Sequence, residues 1–181
     1  DLCREYMGKY PVIFITLKGV GSRRYEAARD MLCSTIGSEA MRFPFLKDSH
    51  RLSDEERIRY TQLVNVDTSG SHSFIMSDGV LEDSLRILTS LLQKHYNQKV
   101  ILLIDEYDVP LDKAQQFGYY DEMLSLLRGM LGQVLKTNDS LYFAVLTGCL
   151  RIAKESIFTG LNNFNVLSIT DVSCDEYFGF S

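Results

Sequence analysis

Short, almost continuously apolar segments are separated by longer amphipathic stretches along this chain of 181 residues. Val12–Leu17, Val100–Ile104 and Leu141–Leu146 carry the strongest apolar runs, and Asn165–Thr170 carries a weaker one. A run without polar alternation is typical of a strand whose two faces are both covered. The pattern therefore predicts a strand in each of these places.

Amphipathic helical patterns fill the stretches between the predicted strands. One helical stripe follows Ser22, which we expect to be the N-cap, a second covers Val80–Asn97, and a third covers 120–135. Ser53 opens an S-x-x-E capping box, which predicts a short charged helix. Residues 42–52 have no such pattern and are predicted to form an irregular loop.

The alternation of strands with helices predicts the α/β fold class. A mostly parallel sheet in a three-layer α/β/α arrangement is the usual result of this pattern. Right-handed crossover connections place helices on both faces of such a sheet. A chain of this length supports one hydrophobic core, so we expect residues 1–181 to belong to a single domain.

Composition and charge argue against two classes of partner. Lys and Arg number 19 against 24 Asp and Glu, for a formal net charge of −5, and no basic block is present. Direct nucleic-acid binding by this chain is therefore not expected. The longest aliphatic run, Val100–Ile104, is far shorter than the ~20 residues that span a bilayer, so no membrane segment is expected. Without a signal-peptide pattern, a cytoplasmic location is the expectation.

The strongest candidate for chemistry is the acidic pair Asp105 and Glu106, directly after the strand predicted at Val100–Ile104. An apolar strand that ends in Asp-Glu is the Walker B arrangement of nucleoside triphosphatases, and open α/β sheets bind ligands at the carboxyl ends of their strands. Asp105 would then hold a nucleotide-bound Mg²⁺, and Glu106 would polarise the water that attacks the γ-phosphate. Strands also commonly end in turn-forming acids, so a purely structural role stays open for this pair.

Three longer stretches extend this pattern. They are Tyr10–Lys18 (Y-P-V-I-F-I-T-L-K), Val100–Leu111 (V-I-L-L-I-D-E-Y-D-V-P-L) and Thr147–Phe164 (T-G-C-L-R-I-A-K-E-S-I-F-T-G-L-N-N-F). In this order they resemble the bacterial AAA-ATPase-like family. The resemblance implies a P-loop-NTPase-like core of the AAA (ASCE) type, which binds ATP with Mg²⁺ and hydrolyses it. It also implies that Thr147 is a sensor residue at the γ-phosphate or the lytic water, and that Arg151 resembles a sensor arginine.

One motif of this family is missing from the chain. No G-x-x-x-x-G-K-[ST] phosphate loop occurs in the 181 residues, and the glycine cluster at Gly19–Arg23 is predicted to be a strand-to-helix turn. We therefore expect a fragment that holds strands two to five of the family order 5-1-4-3-2 and lacks the Walker A strand. Its expected partners are the N-terminal Walker A segment, a C-terminal nuclease-like domain of the kind often fused to this core, and a second copy that pairs across the central slot left empty beside Leu141–Leu146.

The same strand order predicts that Asp105, Glu106 and Thr147 converge at one edge of the sheet. Two alternatives stay open: a catalytically inert interaction scaffold derived from an ATPase core, and a metal-dependent nuclease that uses Asp105, Glu106 and Asp108. The nuclease interpretation is weakened by the lack of a nearby E/D-x-K lysine and of a basic groove. If Asp108 is not a metal ligand, its place beside Pro110 predicts a solvated loop residue.

Overall fold

The computed structural model describes residues 2–69, 73–149, 165 and 167. Helices and strands alternate along this part of the chain. In chain order they are α1 (Leu2–Tyr6), β1 (Val12–Thr16), α2 (Tyr25–Ala40), the 3-10 helix η1 (Pro44–Asp48), α3 (Asp54–Leu63), α4 (Asp78–Tyr96), β2 (Val100–Asp105), α5 (Val109–Phe117), α6 (Tyr120–Leu135) and β3 (Leu141–Leu146).

Within the described residues, the strands form one parallel sheet in the order β1-β2-β3. Ile13 lies opposite Leu102, which in turn lies opposite Ala144. The register shifts only near Val100, where Tyr142 is the additional residue in β3. The predicted α/β class, with a parallel sheet flanked by helices, is therefore confirmed. Apart from residues 165 and 167, the strand predicted at 165–170 lies outside the described residues.

One face of the sheet carries the hydrophobic core. Side chains alternate between the two faces along a strand, so Ile13 and Ile15 of β1 share this face with Leu102 and Ile104 of β2. All four side chains are at most 2% exposed. The apolar stripes of α2, α4 and α6 pack over them, and α4 and α6 also pack closely against each other. The long helices that connect the strands thus share a single core with the sheet.

The start of α2 differs from the sequence prediction. Ser22 is not the N-cap, because α2 begins at Tyr25 after the extended residue Arg24. The main chain of Ser22 instead contacts the Tyr119 hydroxyl, which donates to the Ser22 carbonyl at 2.6 Å and accepts from the Ser22 N–H at 3.3 Å. This tertiary contact holds Ser22 in the turn after β1, and the helix starts once the chain has left that turn.

Other helix boundaries follow local sequence signals. The Ser53 capping box is present, and the C-cap of α4 is Asn97 in the left-handed conformation, as its position after the helical stripe indicates. The helix α4 starts two residues before Val80 because the Ser77 hydroxyl accepts the Val80 N–H and so caps an earlier turn. The 3-10 helix η1 lies inside the loop predicted at 42–52.

The helix α5 follows β2 after a turn of three residues, 106–108, and the sequence pattern did not indicate it. Pro110 lies in its first turn, where the missing N–H leaves no hydrogen bond unmade. Gly118 ends the helix with a φ of +82°, a left-handed conformation that glycine adopts without strain. Neither α5 nor any other helix in the described ranges is long and apolar enough to cross a membrane.

Candidate functional site

The carboxyl ends of β2 and β3 bring two of the predicted site residues together. Asp105 is the last residue of β2, and Thr147 directly follows β3. The Thr147 hydroxyl donates a hydrogen bond to Asp105 Oδ1, with 2.5 Å between the two oxygen atoms. Neighbouring parallel strands end at the same edge of a sheet, which is why residues so distant in sequence meet here.

A second threonine contacts the same carboxylate. Thr16, the last residue of β1, lies opposite Asp105 in the strand register, and its hydroxyl donates to Asp105 Oδ2 at 3.4 Å. Both oxygens of this half-buried carboxylate therefore receive a hydroxyl hydrogen bond, one from each flanking strand. Sequence reasoning missed Thr16, although a hydroxyl residue at the end of a strand predicted to reach this edge was an available signal.

Glu106 lies next to this pair and has an unusual backbone. Its φ is +53°, in the left-handed region that non-glycine residues rarely adopt and that costs about 1–2 kcal/mol. Its N–H donates to the Thr147 hydroxyl at 3.4 Å. The Thr147 oxygen therefore accepts from the Glu106 main chain while its proton goes to Asp105. The three predicted residues Asp105, Glu106 and Thr147 are contiguous in space, and the Glu106 side chain is half-buried.

The turn after β2 also holds the chain that follows Thr147. The Tyr107 N–H donates to the Thr147 carbonyl at 3.0 Å, and the Cys149 N–H donates to Asp108 Oδ2 at 2.8 Å. Asp108 is only 2% exposed, so the expectation of a solvated loop residue is wrong. Burial raises the pKa of the Tyr107 hydroxyl above its ordinary value, and the negative charge of Asp108 raises it further.

The residues present fit a magnesium ion only when it arrives with phosphate groups. The part of the chain that the structure describes contains no group of three or more His, Cys, Asp or Glu side chains that could hold a metal by itself. Asp105 offers a hard carboxylate at a partly open edge. Mg²⁺ typically takes one or two carboxylates and completes its shell with substrate phosphates and water. Asp105 therefore suits the ion of a bound nucleotide better than an independent metal centre.

The glycine cluster after β1 has a packing role. A Cβ built on Gly21 would lie 2.6 Å from the Cγ atom of Lys113 in α5, so only glycine lets the two segments approach this closely. Together with the contact between Ser22 and Tyr119, this agrees with the prediction of a strand-to-helix turn at Gly19–Arg23. Arg151, the remaining predicted site residue, lies outside the described residues.

Comparisons with known proteins place the chain in a family. A family model described as predicted AAA-ATPase matches residues 3–158, which is most of the chain. An uncharacterized protein in the vnfD 5' region of Azotobacter chroococcum mcd 1 is 33% identical over 73 residues. That stretch is 40% of this chain but only 14% of the relative's length. No solved structure matches. Because the family model covers well over half of its residues, the chain belongs to the predicted AAA-ATPase family.

Proposed function

We propose that this chain is the part of a Mg²⁺-dependent ATP-hydrolysing domain that carries the Walker B and sensor residues. Asp105 binds the nucleotide-bound Mg²⁺, Glu106 polarises the attacking water, and Thr147 contacts the γ-phosphate or that water. Arg151 is assigned the role of a sensor arginine by family resemblance alone. The observation that carries the proposal is the 2.5 Å hydrogen bond from Thr147 to Asp105 at the carboxyl edge of two parallel strands.

The surroundings of Asp105 support its assigned role. Hydroxyl donors from both flanking strands hold the carboxylate in one orientation. A carboxylate oxygen held in place is a suitable ligand for a hard cation. The magnesium ion, when bound, neutralises charge on the phosphate oxygens during phosphoryl transfer.

The backbone at Glu106 supports a role distinct from that of Asp105. Its left-handed φ interrupts the strand geometry directly after Asp105, so the two neighbouring acids do not continue the in-and-out alternation of β2. The Asp105 carboxylate accepts hydrogen bonds from two threonine hydroxyls, and the Glu106 carboxylate is the group that accepts a proton from water. A general base contributes about 10²–10⁴-fold to the rate when it is well placed.

The nuclease alternative has less support from the described residues. It needs Asp108 as a third metal ligand, yet this carboxylate is buried and accepts the Cys149 N–H. The scaffold alternative needs none of these acids. It also gives no reason for two threonine hydroxyls to meet the Asp105 carboxylate at a partly open edge.

ATP hydrolysis by the full-length protein tests the proposal. Glu106→Gln should keep nucleotide binding and lower kcat by about 10²-fold or more, because it removes the charge that polarises water. Asp105→Asn should instead weaken Mg²⁺-dependent nucleotide binding. Glu55→Gln, an exposed acid in the first turn of α3, is the matched control and should change neither.

Four results would contradict the proposal. Glu106→Gln hydrolysing ATP at the parent rate removes its assigned role. Nucleotide binding without turnover, or no binding by the full-length protein, favours the scaffold, and metal-dependent DNA cleavage favours the nuclease.

The 181 residues contain no phosphate-loop motif, so calorimetry on this chain alone should detect weak ATP·Mg²⁺ binding or none.

A further inference from the structure

Asp108 occupies the N-cap position of α5 but does not cap that helix. Asp is among the preferred N-cap residues because its carboxylate usually accepts N–H groups of the first helical turn. Here the N-cap makes no side-chain hydrogen bond to α5. Its carboxylate instead accepts the Cys149 N–H at 2.8 Å, from the segment that follows β3. The helix thus lacks its usual cap, and a long-range contact is made in its place.

Gly148 allows this contact to form. A Cβ built on Gly148 would lie 2.7 Å from Asp108 Oδ1 and 2.8 Å from the Tyr107 ring, closer than real Cβ atoms come to such groups. The chain after Thr147 therefore lies directly against the Asp108 carboxylate. A side chain larger than that of glycine at position 148 would therefore clash with Asp108.

Thr147 lies inside a set of contacts made by the β2 strand end and turn. Its N–H donates to the Ile104 carbonyl at 2.9 Å, and its carbonyl accepts the Tyr107 N–H at 3.0 Å. Asp108 extends the same attachment to Cys149, two residues beyond Thr147. Hydrogen bonds at Thr147 and at Cys149 thus attach the exposed segment 147–149 to the end of β2 and to the turn that follows it. The same turn carries Glu106.

We propose that Asp108 is a positioning residue, which holds segment 147–149 so that the Thr147 hydroxyl stays beside Asp105 and Glu106. This inference rests on the proposed ATPase function. Asp108 acts through Thr147 and touches neither the nucleotide nor the attacking water. Displacing a positioned group by about 1 Å can lower a rate by about 10²-fold, so a residue that only holds the segment has a measurable effect on turnover.

Steady-state kinetics of the full-length protein test this role. Asp108→Ala should lower kcat by about 10- to 100-fold and change the KM for ATP·Mg²⁺ by less than about threefold, because Thr147 is displaced while Asp105 remains. Asp108→Asn keeps an oxygen that accepts the Cys149 N–H and should restore kcat to within about threefold of the parent. Asp112→Ala is the matched control: this α5 carboxylate accepts the Gln116 side chain, so both constants should stay unchanged.

Hydrogen exchange of the Cys149 amide supplies a readout that does not depend on catalysis. Asp108→Ala should speed this exchange by about tenfold or more, and Asp108→Asn should largely preserve the protection. If the parent protein hydrolyses no ATP, the proposed function fails, and the exchange result alone still decides whether Asp108 holds the segment. Parental kcat in Asp108→Ala would overturn the positioning role. Unchanged Cys149 protection in that variant, or equal losses of kcat in Ala and Asn, would overturn it as well.

Discussion

Among the described residues, the two faces of the sheet differ in how well they are covered. On the helix-covered face, Leu102 and Ile104 of β2 are at most 1% exposed beneath the helices. On the opposite face, here termed the open face, Phe14 and Val145 are each 47% exposed within the described part of the chain. These two side chains flank Leu103 in one row across the strands. Apolar residues of the same sheet thus have different surroundings on its two faces.

The site belongs to the open face. Thr16 and Asp105 lie opposite each other two positions beyond Phe14 and Leu103, and side chains two residues apart on a strand share a face. The hydroxyl contacts to Asp105 therefore lie at the carboxyl end of the less covered surface. Substitutions on the helix-covered face should therefore lower the stability of the fold more than matched substitutions on the open face.

The largest difference in stability between the two faces is expected for substitutions of two adjacent leucines of β2. Leu102→Ala should lower the free energy of unfolding by about 2–5 kcal/mol, because it opens a cavity in the core under the helices. Leu103 is half-buried on the open face, so folding removes less of its apolar surface from water. Leu103→Ala should therefore lower the free energy of unfolding by about 1–2 kcal/mol. Urea unfolding of both variants measures the two values. Equal losses would mean that the open face is as tightly packed as the core.

Much of the helix-covered face could be predicted from the sequence, because burial leaves a local signal. Continuous apolar runs such as Val100–Ile104 identify buried strands, and periodic leucines identify the stripes that cover them. The neighbourhood of Asp105 and Thr147 was also predictable. It follows from the carboxyl ends of parallel strands and from the strand order that family resemblance supplied.

The remaining contacts depend on tertiary structure that leaves no local pattern. Asp108 beside Pro110 looks like a solvated acid, yet it is buried, and Gly148 approaches it closely from another strand end. Ser22 looks like an N-cap, but the hydroxyl of Tyr119 holds its main chain in the preceding turn. Thr16 resembles any β-branched strand residue until the register sets it opposite Asp105.

A contact between α2 and the outer edge of β1 lies between the two faces of the sheet. Glu39 of α2 is almost fully buried, and its Oε1 accepts the Phe14 N–H at 2.9 Å, so a helix side chain satisfies a backbone group at the boundary between the faces. Glu39→Ala should lower the free energy of unfolding by about 1–3 kcal/mol because that N–H loses its acceptor. Glu39→Gln keeps an oxygen and should cost less.

Arg42 separates the two contributions of Glu39. It pairs with the same carboxylate at 2.8 Å; the Arg42 side chain is 57% exposed, whereas that of Glu39 is only 7% exposed. Arg42→Ala removes the cation from a buried carboxylate but opens that side of Glu39 to water, so it should lower stability in thermal unfolding by up to about 1 kcal/mol, less than Glu39→Ala. A loss as large as that of Glu39→Ala would show that the charge pair, and not the Phe14 N–H, is what Glu39 contributes to stability.

The smallest effect is expected on the open face, at Val145. Val145→Thr keeps a β-branched side chain of almost the same shape, and a residue that is 47% exposed can hydrate the new hydroxyl. The free energy of unfolding should change by less than about 0.5 kcal/mol. The matched substitution Val100→Thr places the same hydroxyl at a fully buried position of the neighbouring strand and should cost about 1–3 kcal/mol. Urea unfolding of the 181-residue chain compares the two directly, and equal costs would mean that Val145 is shielded from water as Val100 is.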